Sequence, residues 1–182
     1  MTNDEFMDLL KLKKHFSDSK VILPNPGKKN DIPIKIESDT TRDIFYLDTD
    51  RKSSITLTKK KLQQRHANSN TMMIRLEIDC RPHMYSDGSF SSRNHIHIFD
   101  EENGNITYDL TGKYATLFSN IDNFMTVFYD FCNMCNIDTV NVDIQDVMWW
   151  KIISRKIIWI GSIRALMNTK LVKIYIELPF HI

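Results

Sequence analysis

Several absences narrow this 182-residue sequence before any motif is read. Five glycines and five prolines are too few for low-complexity linkers or a collagen-like chain. Three cysteines cannot all pair. The start, Met1-Thr2-Asn3-Asp4-Glu5, is polar and acidic and resembles neither a signal nor a transit peptide. The expectation is therefore a reducing cytoplasm, that of a bacterial host cell. No run of about 18 uncharged apolar residues occurs, so no membrane partner is expected. There is no Gly-rich phosphate loop, no Ser nucleophile elbow and no paired-carboxylate signature. The chain is accordingly expected not to be an enzyme, with no catalytic residue, metal or cofactor assigned.

What is present supports a real core. Hydrophobic residues make up 42% of the chain, and its length suits one ordinary domain with an appendage. The net charge of +1 conceals a segregation along the sequence. Residues 98–146 hold nine acids against Lys113 alone and carry −8, whereas 147–182 carry +5. This division suggests charged partners on two surfaces, or two solvated faces that neutralise each other.

Periodicity outlines an α+β protein. Thr2 and Glu5 are spaced as a capping box, and Phe6, Leu9, Leu10 and Phe16 predict a helix over 3–16. Strands are expected at Val21-Ile22-Leu23, through Ile32, Ile34 and Ile36, at 44–47, at Ile55 and Leu57, at 72–79 and at 94–99. Asn103-Gly104 signals a hairpin leading to a strand near 105–110. A further short strand is expected at 113–118, and Lys59 to His66 reads as a basic connection. Ile121, Phe124, Met125, Phe128, Phe131, Cys132 and Cys135 predict a helix capped by Ser119 or Asn120. Trp149, Ile152, Ile153, Ile157 and Ile160 suggest another helix, and Val172, Ile174, Ile176 and Leu178 a closing strand. The expected architecture is a mostly antiparallel sheet with an N-terminal helix and C-terminal helices. It is divided into an α+β domain, 1–146, and a helix–strand extension, 147–182, packed on the same domain.

The densest chemistry lies between Arg75 and Ile98, where three of the six histidines fall within 24 residues. His95 and His97 alternate with isoleucines, which on a strand puts both imidazoles on one face. With Arg75, Asp79 and His83 they form a candidate polar cluster. The adopted reading is a polar layer in which the histidines hydrogen-bond to Asp79. Two functional readings stand beside it. Zinc would suit His83, His95 and His97 with Asp79 or Asp87 as the fourth ligand. A nuclease would use two histidines as acid and base, with Arg75 or Arg81 holding the phosphate. Cys132 and Cys135 form a C-x-x-C at the wrong end of a helix for redox chemistry, so they read as buried small hydrophobes. Lys59, Lys60, Lys61 and Arg65, and Lys151, Arg155 and Lys156 among tryptophans, are candidate nucleic-acid contacts. The acidic residues Asp100, Glu101, Glu102, Asp109 and Asp122 are candidate partner contacts.

Phe45-Tyr46-Leu47-Asp48 with Arg51, Gln64-Arg65, Arg75-Leu76-Glu77-Ile78-Asp79 with Pro82-His83, Asp87-Gly88 and His95-Ile96-His97-Ile98 together resemble an uncharacterised family of short bacterial and phage proteins. The resemblance spans roughly residues 1–135. The family's usual Tyr-rich, Gly-containing segment is replaced here by Phe99-Asp100-Glu101-Glu102. As a whole the chain also resembles phage anti-CRISPR proteins. That likeness implies a non-enzymatic inhibitor that binds a Cas9-type nuclease, with DNA or guide RNA as a further partner, and blocks target binding or cleavage. The alternative is a small toxin-type nuclease or metal-binding hydrolase using His83, His95 and His97. A third reading is a DNA-binding module without catalysis. A homodimer, with 147–182 packed in cis or exchanged, is left open.

Overall fold

The structure, a computed structural model, describes residues 1–146 apart from 54, 55, 57 and 86. The chain divides into the units 1–146 and 147–182. The helix expected from Trp149, the strand expected from Val172 and the basic residues Lys151, Arg155 and Lys156 lie outside the described residues. So does the strand expected at Ile55 and Leu57.

The capping box forms as its spacing predicts. Glu5 N–H donates to Thr2 Oγ1 (3.1 Å) and Thr2 N–H to Glu5 Oε2 (2.7 Å), opening helix α1, Asn3–Lys11. The helix does not reach residue 16. Leu12 turns extended, and Lys14 begins strand β1, Lys14–Phe16. The cause is Lys14 itself. It is fully buried, and its ammonium donates to the carbonyls of Leu10 (2.9 Å), Leu12 (2.8 Å) and Cys135 (2.9 Å). Carbonyls that a helix end leaves without partners are thereby satisfied. Phe16 still reaches the core, but from a strand.

The remaining elements are β2 (Lys20–Leu23), β3 (Ile34–Ser38), β4 (Ile44–Asp50), β5 (Lys60–His66), β6 (Thr71–Ile78), β7 (His95–Asp100) and β8 (Gly104–Asp109). They are followed by α2 (Gly112–Ala115), α3 (Phe124–Met134), β9 (Ile137–Asp138) and β10 (Asp143–Asp146). Eight strands form one sheet in the order β8-β7-β6-β5-β4-β3-β1-β9, antiparallel except for the β1–β9 pair. β10 and β2 pair in parallel as a separate ribbon. The architecture is thus α+β with a mostly antiparallel sheet, as expected.

Three local expectations are corrected. Lys59 to His66 is not a connection but largely strand β5, whose inward positions are Lys60, Leu62, Gln64 and His66. Residues 113–118 hold the short helix α2 rather than a strand. Successive backbone bonds from Tyr114 to Thr111, Leu117 to Tyr114 and Phe118 to Ala115 wind this stretch instead of extending it. Helix α3 is capped by Asn123, whose Oδ1 accepts from Thr126 N–H (3.1 Å), rather than by Ser119 or Asn120. Ser119 bonds Asp130 instead. The hairpin at Asn103-Gly104 does form, with Gly104 at φ 72°.

One face of the sheet carries Ile36, Phe45, Leu47, Leu62, Leu76 and Ile96, and these join Phe6 of α1 and Val127, Phe128 and Phe131 of α3 in the core. Cys132 and Cys135 are fully buried there, and burial pushes the Cys135 thiol up to about 12. Both are packing residues. Strand alternation turns Tyr46, Asp48, Lys61, Arg75, Glu77, His95 and His97 to the opposite face.

Lys14→Met keeps the aliphatic volume but strips three buried carbonyls of their donor. We expect a loss of about 3 kcal/mol or more in equilibrium unfolding. A loss below about 1 kcal/mol would mean that the three bonds contribute little.

Candidate metal centre

The second face of the sheet is organised in cross-strand rows. In one, Asp50, Lys61, Glu77, His95 and Asp109 are successive partners across β4 to β8. In the next, Asp48, Gln63, Arg75, His97 and Thr107 are. Directly opposed side chains in such a pair stand about 5 Å apart at Cβ. The pairings Glu77 to His95 and Arg75 to His97 therefore bring these four groups together.

His83 arrives from the segment joining β6 to β7. Asp79 leaves β6 at φ 54°, and its backbone N–H is held by Asn94 Oδ1 (2.9 Å). The segment then doubles back on itself. His83 N–H donates to Ser91 Oγ (2.9 Å), Ser91 N–H returns to the His83 carbonyl (2.8 Å), and Tyr85 N–H reaches the Ser89 carbonyl (2.8 Å). Gly88, at φ 83°, makes the tip, where a side chain would be strained. Asp109 Oδ1 ties the segment to β8 by accepting from Ser92 N–H (2.7 Å) and Tyr85 O–H (3.3 Å).

The result is a convergence of three imidazoles and a carboxylate. The rings of His83, His95 and His97 lie 4.6–5.1 Å apart between centroids and are nearly perpendicular, at 76–80°. Glu77 Oε2 is 3.3 Å from His95 Nε2 and 3.6 Å from His83 Nε2. One ligand atom from each of the four residues falls within 4.8 Å of all the others. A tetrahedral zinc site with bonds of about 2.0–2.1 Å has edges of about 3.3–3.4 Å, so the Glu77 contacts at 3.3 and 3.6 Å match it and the wider spacings would have to close around an ion.

His95 is fully buried, and its Nδ1–H donates to the Ser92 carbonyl (2.8 Å), which can only accept. His97 Nδ1 lies 3.1 Å from Asn105 Oδ1 and 2.9 Å from Thr107 Oγ1, so it is anchored on both. In the neutral His95 ring the lone pair therefore sits on Nε2, and the Nε2 atoms of both His95 and His97 are buried without a hydrogen-bond partner among the described residues. His95 Nε2 faces a carboxylate oxygen, acceptor against acceptor. Such a contact calls for a cation between the two, either a proton or a metal ion. Anchoring of Nδ1 with Nε2 left bare is also how metal-bound histidines are held.

Burial alone would raise the Glu77 carboxyl. With a proton between it and His95 Nε2, that contact, Lys61 and the charge of Arg75 outweigh burial and hold Glu77 well below the usual carboxylate range. Lys61 Nζ (3.0 Å) and Arg75 Nε (3.1 Å) both approach Oε1, so Oε2 is the oxygen left for the histidines. Burial, then the charge of Arg75, pushes His97 down to about 4, so it is neutral at neutral pH. The His83 side chain is 44% exposed and forms the open edge of the cluster.

Arg75, His83, His95 and His97 thus gather as expected, but Asp79 does not join them. Its carboxylate accepts from Arg93 (2.7 Å) and Thr58. Asp87 is spent on its own turn, accepting from Ser89 N–H (2.9 Å) and Oγ–H (2.6 Å). The acid among the histidines is Glu77. Its position was implicit in the alternation, because Ile74, Leu76 and Ile78 must face the core with Ile96, leaving Glu77 opposite His95.

Of the basic run, Lys60 is buried, with Nζ donating to the Thr58 carbonyl (3.2 Å), so it is not a surface contact. Lys59 pairs with Asp50 (3.1 Å), Lys61 with Glu77 (3.0 Å) and Arg65 with Asp48 (2.6 Å). Of the acidic set, Asp100 accepts from Asn103 (2.9 Å), Glu101 from Asn3 N–H (3.1 Å) and Asp109 from Ser92 N–H (2.7 Å). The side chains of Glu102 and Asp122 make no hydrogen bond with a described residue. No helix among the described residues is long and apolar enough to cross a membrane.

The family model described as a family of unknown function, DUF6978, matches residues 1–137. The chain belongs to this family. The four converging residues fall inside the DUF6978 stretch, and β10 falls outside it. No curated protein and no solved structure matches the chain.

The metal-free protein should lose stability in mild acid. The unfolded chain takes up a proton on His97 near the ordinary value of 6.5, the folded chain only near 4. Protons therefore favour unfolding as pH falls between those values, by about 3 kcal/mol in total. Urea unfolding from pH 7.5 to 4 should show this fall, and His97→Asn should flatten it. An equally steep fall in the variant would remove His97 as its source.

Proposed function

We propose that this protein binds one divalent transition-metal ion, with zinc the first candidate, through His83, His95, His97 and Glu77, and uses it for hydrolysis. The supporting observation is the pair of buried, unbonded Nε2 atoms of His95 and His97 beside the free oxygen of Glu77. Three neutral imidazoles and one carboxylate suit zinc, and also iron(II), cobalt and nickel. Lys61 steadies the carboxylate through its other oxygen (3.0 Å), which is the supporting contact a ligating carboxylate needs.

Hydrolysis is favoured over a purely structural role by the half-exposed edge at His83. Water can reach the ion there as a fifth ligand, and binding to zinc lowers its pKa toward neutrality. The centre is preferred to the expected inhibition of a Cas9-type nuclease on a specific contrast. Three of the five acids behind that expectation already accept local hydrogen bonds. The Nε2 atoms of His95 and His97 have no such partner among the described residues.

Metal-free protein titrated with zinc, cobalt or nickel should bind close to one equivalent, measured by elemental analysis after gel filtration. Its resistance to thermal unfolding should then rise with the logarithm of the free metal concentration. His95→Ala and His97→Ala should each lower affinity by at least about 100-fold. A stoichiometry near zero for all three metals, in protein that is folded by circular dichroism, would refute the proposal.

A further inference from the structure

Arg75 is the unexplained group beside the proposed centre. It stands opposite His97 across β6 and β7, one row from Glu77. Its side chain is only 22% exposed, yet its guanidinium makes no hydrogen bond with any described residue. Nε lies 3.1 Å from Glu77 Oε1 but is among the buried atoms that lack a hydrogen-bond partner. Buried donors are nearly always satisfied, and an exception calls for an explanation. Other arginines here are used differently. Arg65 forms a bidentate pair with Asp48 (2.6 and 3.1 Å), and Arg93 grips Asp79 (2.7 Å). Arg75 alone of these three holds a fork of donors unspent next to the converging ligands. Lys61, 31% exposed, adds a second positive charge on the same carboxylate.

We infer that Arg75 is the anion-binding residue of the metal centre and that the substrate is a phosphate ester. The inference rests on the metal reading above. A guanidinium fork matches two oxygens of a phosphate group and cannot lose its charge. One phosphoryl oxygen would sit at the metal and two on Arg75, leaving phosphorus within reach of a metal-bound water. The oxygen of that water forms a bond to phosphorus, and the P–O bond to the leaving alcohol breaks. One proton of the water passes to the departing alkoxide, and the other is released from the phosphate product to solvent. No oxidant, reductant or further co-reactant is required. A neutral carboxylic ester would leave the fork of Arg75 without a counterpart.

The test uses the full-length zinc-loaded chain, Arg75→Gln, which removes the charge, and Arg75→Lys, which keeps the charge without the fork. Three readouts are taken: zinc per chain, inorganic phosphate binding by calorimetry, and hydrolysis of p-nitrophenyl phosphate, bis(p-nitrophenyl) phosphate and p-nitrophenyl acetate. The first two substrates separate monoesters from diesters, and the third is the control without phosphorus. Both variants should keep one zinc per chain. Phosphate affinity should fall at least 10-fold in Arg75→Gln and less in Arg75→Lys. In the wild type at least one phosphate ester should be cleaved, with KM rising at least 10-fold in Arg75→Gln. Zinc binding with phosphate affinity and KM unchanged in Arg75→Gln would overturn the assignment while leaving the metal centre in place. So would zinc-dependent cleavage of the acetate alone. Failure of the wild type to bind zinc, cobalt or nickel would overturn the metal reading and this inference with it.

Discussion

Everything at the candidate centre depends on the register between β6 and β7. Pairing Glu77 with His95 and Arg75 with His97 places an acid, a base and two imidazoles on one patch of the sheet's second face. The apolar alternation enforces that register, because Leu76 and Ile96 are partners on the other face and both are fully buried. A slip of one residue would carry the isoleucines out of the core and the histidines into it. The burial that stabilises the sheet is thus also what aims the ligands.

The two faces treat buried polar groups differently. On the core side, Lys14 is satisfied by three carbonyls and serves to join the ends of α1 and α3. On the other side, the segment between β6 and β7 folds over the sheet, and His95 and His97 are buried with no hydrogen-bond partner for Nε2 among the described residues. Desolvating a lone pair that bonds nothing is unfavourable. A fold that does so twice within one cluster, with a carboxylate oxygen beside them, has the form of a site prepared for a cation. The half-exposed His83 distinguishes it from a closed structural site.

Much of this was legible in the sequence, and the failures have identifiable causes. The α+β class, the capping box at Thr2 and Glu5, the Asn103-Gly104 turn and the gathering of His83, His95 and His97 all follow from local chemistry. Strand β5 was hidden because its inward positions include Lys60, Gln64 and His66, which obscure the alternation that Leu62 alone cannot carry. The end of α1 was hidden because it is fixed by Lys14 reaching a carbonyl 121 residues away. Asp79 was preferred to Glu77 as the acid near the histidines, but Asp79 lies past the strand end in a left-handed turn. The exclusion of Asp87 turns on the fold of its own loop, which spacing does not reveal.

The most direct test of the central claim is a long-range 1H–15N spectrum of the histidine rings, recorded at neutral pH before and after one equivalent of zinc. The account predicts that His95 and His97 in the metal-free protein carry a proton on Nδ1, with His97 clearly neutral. It further predicts that Nε2 of His83, His95 and His97 shifts together as zinc is added, while His15 and His66 stay still. A proton found on Nε2 of His97 in the metal-free protein, or zinc that moves none of the three rings, would contradict it.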